Sequence, residues 1–241
     1  MAHGMKDWGS YSPISSIYKG MDLSELATRI GSVVGFDRGG NALFVDDCSS
    51  GLTKWRVIEG FGSKVRPQYG YNIFGGYSIR LDDDGSDTSR AEIYTGLPLY
   101  QNVTTGFELV ANFVFEKTVV ILVLEFDDGS LAKQFKVRLS NKAGSIELLD
   151  SSNTWQTVGS FATMNSGAIW TFFLKMVVDE GTGKYKTIRL NQQIINASGY
   201  SCYEAGSITA NNITVRVIAG YEEANSSGGI NINSVIFTIN E

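Results

Sequence analysis

FELVANFVFEKTVVILVLEFDDGSLAKQFKVRL, residues 107–139, reads as three consecutive strands joined by tight polar turns. Phe107, Leu109, Ala111, Phe113 and Phe115 alternate with Glu108, Val110, Asn112 and Val114, the period of two that a strand with one buried face requires. Val119–Leu124 is apolar at every position, which predicts a strand covered on both faces in the middle of a sandwich. Asp127-Asp128-Gly129-Ser130 is a hairpin signal, because an Asp-Gly pair tolerates the positive φ of tight hairpins. Phe135, Val137 and Leu139 then alternate with Gln134, Lys136 and Arg138.

The same rhythm extends in both directions. Strands are predicted at Ala42–Asp46, Trp55–Ile58, Tyr77–Leu81 and Arg90–Tyr94 before the central three. After them come Ile146–Leu149, Trp155–Val158, Trp170–Asp179, Tyr185–Leu190, Ile213–Ala219 and Ile230–Ile239. Turn residues punctuate these runs at the spacing of an antiparallel β-sandwich, and no repeat of fixed period is visible. Trp55, Trp155 and Trp170 sit in strand patterns and are assigned to the core. The 27 glycines and 3 prolines suit many short strands.

The first 40 residues differ. Residues 1 to about 20 are polar with scattered aromatics and no period, and read either as an extended docking arm or as a disordered tail. Asp22–Ile30 reads as a short helix: Asp22 caps it, Glu25 completes a capping box, and Leu23, Leu26, Ala27 and Ile30 form one apolar stripe. At this length it needs a surface to dock on. The expected organisation is therefore an arm and helix over 1–40, then a jelly-roll β-sandwich over 41–241. The side chains expected to dock on a partner are Trp8, Tyr11, Ile14, Ile17, Tyr18, Leu23, Leu26 and Ile30.

Composition narrows the partners. A net charge of −5, with no cluster of Lys and Arg, argues against nucleic acid. No apolar run of 18 residues predicts a membrane span, and the opening MAHGMKDWGSYS shows no signal-peptide core. Cys48 and Cys202 are either two buried thiols or one disulfide across the sandwich.

VDDCSSGLTKW (45–55) resembles the opening of concanavalin A-like and laminin G-like jelly rolls, where an acidic start precedes the first core strands. Val178–Tyr185 is similar to the strand–turn–strand of those folds, and INSVIFTIN (232–240) to their closing strand. The resemblance covers about residues 42–241. It implies a jelly roll, and a structural calcium between first and last strands near Asp46, Asp47 and Asn233. No other cofactor is expected. An arm and helix ahead of such a domain resemble bacteriophage virion proteins that dock on a capsid or tail.

Candidate chemistry is sparse. The single histidine is His3, so Ser–His and Cys–His catalysis within the sandwich lacks a base, and a zinc site lacks its usual ligands. Glu125 and Asp127 lie two apart on a strand and so share a face, the arrangement of a glycosidase pair. Some jelly-roll glycosidases carry E-x-D-x-x-E, but Ser130 stands at the third position here. Asp82, Asp83, Asp84 and Asp87 form an oxygen-rich loop of the kind calcium favours. The Tyr- and Asn-rich stretch 61–77 offers a sugar-stacking surface at Tyr69, Tyr71, Asn72 and Tyr77. A second such loop is Ser198–Tyr203.

These readings predict a non-enzymatic structural protein that decorates a virion, its arm locked to capsid or tail subunits or to itself. The alternative is a lectin-like carbohydrate-binding module for surface glycans, and a third reading is a jelly-roll glycoside hydrolase. The expected location is a particle surface, or otherwise the cytoplasm or the extracellular space.

Overall fold

A computed structural model of the chain describes residues 40–60, 62–70, 76–83, 90–163, 170–206, 211–221 and 228–241. The expected arm and helix, with their eight docking side chains, lie outside the described residues. So do Tyr71, Asn72, Asp84 and Asp87.

Among the described residues sixteen strands build two eight-stranded antiparallel sheets. They are β1 (Asn41–Asp46), β2 (Arg56–Glu59), β3 (Lys64–Tyr69), β4 (Tyr77–Asp83), β5 (Ala91–Pro98), β6 (Thr104–Phe113), β7 (Thr118–Asp127) and β8 (Leu131–Ser140). They continue as β9 (Ser145–Leu149), β10 (Trp155–Ser160), β11 (Trp170–Asp179), β12 (Lys184–Leu190), β13 (Gln193–Asn196), β14 (Tyr203–Gly206), β15 (Asn212–Tyr221) and β16 (Gly228–Ile239). The first sheet runs β13-β12-β11-β6-β16-β4-β3, with β1 also beside β16. The second runs β10-β9-β8-β7-β15-β5-β2, with β14 also beside β8. The sandwich predicted from alternation is the fold.

Its core is the set of alternating residues from both inner faces. Phe107, Leu109, Ala111 and Phe113 of β6 meet Leu122, Leu124 and Phe126 of β7 and Phe135, Val137 and Leu139 of β8 in one buried cluster. The continuous apolar run of β7 is explained by its outer face. Val119 and Val123 are buried there, Ile121 half-buried, among the flanking Lys136, Arg138 and Arg216 at paired positions. Long cationic side chains cover apolar surface with their stems while their heads reach water.

Each sheet has one long strand whose flank is shared between two shorter ones. On β16, β4 takes Gly228–Ile232 and β1 takes Val235–Ile239, and the register shifts between Ile232 and Ser234 where the two meet. On β8, β14 takes Leu131–Gln134 and β9 takes Val137–Ser140. The backbone between them would lack a partner at Lys136. Tyr185 of β12 crosses from the opposite sheet and fills the gap: its hydroxyl accepts from Lys136 N–H at 2.8 Å and donates to Leu149 O at 2.8 Å.

Three strands escape the sequence reading. β3 contains Pro67, which an inner strand does not tolerate, but β3 is the edge of its sheet. β13 and β14 have four residues each and half-exposed patterns. Trp55 is core, as expected, but Trp155 is not. It sits half-buried on the outer face of its sheet, with the Arg138 guanidinium 4.4 Å from its ring. The side chain of Trp170 lies outside the described residues. Cys48 and Cys202 are unpaired and buried.

Candidate functional site

The connection from β1 to β2 folds around one carboxylate. Asp46 ends β1 fully buried; its Oδ2 accepts the Trp55 indole N–H at 2.5 Å and its Oδ1 accepts Cys48 N–H at 3.2 Å. Lys54 Nζ stands 3.3 Å from the same carboxylate and donates to Val45 O at 2.9 Å. Cys48 turns the chain with a φ of 61°, and Gly51 adds a φ of 63°. Gly51 packs on Pro67 of β3, whose Cγ lies 3.3 Å from where a Cβ would stand. Segment 47–55 is thereby fixed between the edges of the two sheets.

The three residues expected near a calcium ion make these bonds within the protein. Both Asp46 oxygens already serve protein donors, Asp47 Oδ1 accepts from Ser49 N–H and Oγ–H, and Asn233 donates to Asn112 Oδ1 at 2.9 Å. Asn112 alternates with core residues of β6, so this bond lies on the outer face of the sheet, whereas Asp46 sits with Trp55 and Cys48 on the core side. The three groups do not converge. No cluster of three His, Cys, Asp or Glu side chains suited to a metal occurs among the described residues. In the acidic loop Asp82 is bound by Arg66, at 3.0 Å, and by Arg80, while Asp83 is buried.

Two of the four predicted sugar-stacking residues are brought together. Tyr69 and Tyr77 are directly opposite across the β3–β4 pair, with ring centroids 5.5 Å apart and edge to face. By alternation they share the inward side of Val65 and Ile79, yet Tyr69 is 70% and Tyr77 46% exposed. The hairpin end therefore overhangs the core. In the second predicted loop, Ser198–Tyr203, Tyr200 packs against the core and Cys202 is buried, while Ser198 and Gly199 are exposed.

Sequence reasoning missed a cleft on the same edge of the sandwich. It has a volume of about 370 Å³ and is lined by Thr53–Arg56, Tyr94–Gly96, Asn212 and Thr214. Pairing of β2 with β5 begins at Arg56 and Tyr94, so among the described residues no strand lies beside the β5 edge over Thr95–Pro98 on that side. Gly96 keeps the floor open, because a Cβ there would meet only Asn212 Nδ2, at 3.8 Å. The Arg216 guanidinium lies 5.6 Å from the Tyr94 ring centroid and 2.9 Å from the buried Glu92 carboxylate, which holds it in place. The cleft draws on segments far apart in sequence, and no local pattern announces it.

The expected carboxylate pair separates by role. Glu125 accepts from Gln134 Nε2 at 2.7 Å on the outer face of β7. Asp127 is buried and turns into its own hairpin, accepting Gly129 N–H at 2.8 Å. A further ion cluster lies on the outer face of the first sheet, where buried Lys175 stands 3.1 Å from Glu108 and 2.8 Å from Glu241.

No protein-family model matches this chain, and no curated protein matches its sequence. Solved structures do share its fold. A carbohydrate esterase from the Shiga toxin-encoding bacteriophage phi24B superposes with a TM-score of 0.55 at 10% identity, over 84% of this chain and all of the other. The Crh5 transglycosylase gives 0.50 at 12% identity, over 81% and 83%. An endo-β-1,4-glucuronan lyase from the fungus Trichoderma reesei gives 0.50 at 8% identity, over 82% and 95%. The likeness is one of fold alone, the two-sheet antiparallel sandwich. It corrects the expectation that this chain is not an enzyme: three sandwiches of the same architecture are named for carbohydrate chemistry, so the fold gives no ground for that exclusion. No helix among the described residues is long and apolar enough to cross a membrane.

Proposed function

We propose that the sandwich recognises carbohydrate, and that the overhanging Tyr69–Tyr77 corner is where a sugar ring stacks. The exposed aromatic pair carries this reading. A strand position on the inward side of a sheet ordinarily buries its side chain, and leaving two phenol rings in water forgoes the stabilisation that burial brings. The C–H face of a sugar supplies the missing apolar partner, while hydroxyls around it stay hydrated. The names of the fold's solved relatives, a carbohydrate esterase, a transglycosylase and a glucuronan lyase, support the same ligand class.

The test is a glycan array probed with the intact chain, followed by titration of the retained glycans against Tyr69→Ala and Tyr77→Ala. Both side chains are exposed, so both variants should keep the wild-type circular dichroism spectrum. Each substitution should weaken binding by about tenfold, the loss of roughly 1.4 kcal/mol of stacking. Unchanged affinity in both variants, or an array that retains nothing, overturns the reading.

A second reading sets such a domain on a phage particle, docked through residues 1–40. Its support is that a bacteriophage protein shares the fold over its whole length. Light scattering of the full chain beside a 36–241 truncation tests it: defined oligomers only in the full chain favour self-assembly through that segment.

A further inference from the structure

We propose that the cleft beside β2 is a subsite for an acidic sugar, with the anionic substituent on Arg56 and the hydroxyls on Thr53, Thr214 and Asn212. This rests on the carbohydrate reading and narrows it to a ligand class.

The charge of the cleft is the first argument. Among the described residues two cations and no carboxylate line it, in a chain whose net charge is −5. Carboxylates on the adjoining segments are engaged elsewhere: Asp46 by Trp55 and Lys54, and Glu92 by Arg216 at 2.9 Å and Arg90 at 3.5 Å. Arg56 is exposed, and among the described residues it has neither an ion pair nor a side-chain hydrogen bond. Its guanidinium presents a planar fork of donors that matches a carboxylate or sulfate in two parallel bonds. Lys54, by contrast, is tethered to Val45 O and balanced by the Asp46 carboxylate, so Arg56 is the cation left to meet a ligand.

The shape is the second argument. The β5 edge beyond Tyr94 offers backbone donors and acceptors, Gly96 leaves the floor empty, and hydroxyl and amide side chains stand around it. Such a wall suits a ligand that is hydroxylated and flat rather than apolar. The Tyr69–Tyr77 corner lies at the end of the strand whose Pro67 packs on Gly51, on the same connection that forms the rim of the cleft.

The experiment is amide and arginine side-chain NMR of the full chain, titrated with glucose, glucuronate and glucose 6-sulfate, with acetate and sulfate ions as controls. An acidic sugar should move the amides of Thr95, Gly96 and Thr214 and the Arg56 Nε–H, and bind about tenfold more tightly than glucose. Response to glucuronate alone identifies a carboxylate as the substituent, and response to the sulfate ester alone a sulfate; either supports the proposal. Arg56→Gln should abolish the preference. Gly96→Val should block the cleft while leaving the cations in place, and it suits an extended strand with no close neighbour at Cβ. If glucose shifts the Tyr69 and Tyr77 resonances but no acidic sugar moves Arg56, the acidic subsite falls and the carbohydrate reading stands. If no sugar moves either set, both fall. If acetate or sulfate alone reproduces the shifts as strongly, the cleft is an anion site and the proposal is overturned.

Discussion

Asp128 shows how much one residue of this chain carries. Its Oδ1 accepts from Leu131 N–H at 2.8 Å, from Ser130 Oγ–H at 2.7 Å and from Ser130 N–H at 2.9 Å. These bonds favour the ionised form and hold the carboxyl at about 2, below its ordinary 3.8. The folded value is depressed, so the contribution to stability is complete above 3.8 and is lost as pH falls toward 2. Carboxyl-detected NMR should find the Asp128 midpoint near 2, and a midpoint close to 3.8 would show that the turn does not hold it. The turn itself was legible, since Gly129 takes the positive φ of 88° that Asp-Gly announces. The role of Asp46 was not. The groups that bond it, Trp55 and Lys54, stand nine and eight residues on in a connection whose path the local pattern does not reveal.

At the scale of elements, Tyr185 ties the two sheets where strand pairing leaves a gap. Tyr185→Phe keeps the ring and its edge-on packing against Phe135, but leaves Lys136 N–H and Leu149 O without that partner. The expected loss is about 1–3 kcal/mol, the cost of stranding buried backbone groups. Urea unfolding of wild type and variant measures it, and a change under about 0.5 kcal/mol would mean that water replaces the hydroxyl. Burial raises the phenol itself above its usual range, which keeps the hydroxyl protonated as a donor near neutral pH. Alternation located the long strands because they bury one face completely. It passed over β3, β13 and β14, which lie at sheet edges or pair over a few residues and so need not follow the pattern.

At the scale of the whole molecule, Cys48 and Cys202 belong to one core cluster although they lie far apart in sequence. Burial pushes the Cys48 thiol well above its ordinary value, with the Asp46 carboxylate adding to it, and burial raises Cys202 to about 11. Both should stay unreactive toward a thiol reagent in the native protein near neutral pH. In urea they should become reactive together, at the midpoint seen by tryptophan fluorescence. Release of one thiol well before the other would show that the sandwich unfolds in parts.

The sequence by itself determined the all-β class, the long strands and the Asp-Gly hairpin. Those features follow from the pleat and from backbone sterics, which act between near neighbours. Only the tertiary structure decided which strands became neighbours, because pairing is settled by burial of distant segments. Alternation also loses its phase at each bulge: the shifts between Ala42 and Phe44 and between Ile232 and Ser234 reset which side a residue faces. That is why Asp46 and Asn233, expected to share an ion, lie on opposite sides of one sheet. For the same reason the cleft, assembled from 53–56, 94–96 and 212–214, came into view only once β2, β5 and β15 were side by side.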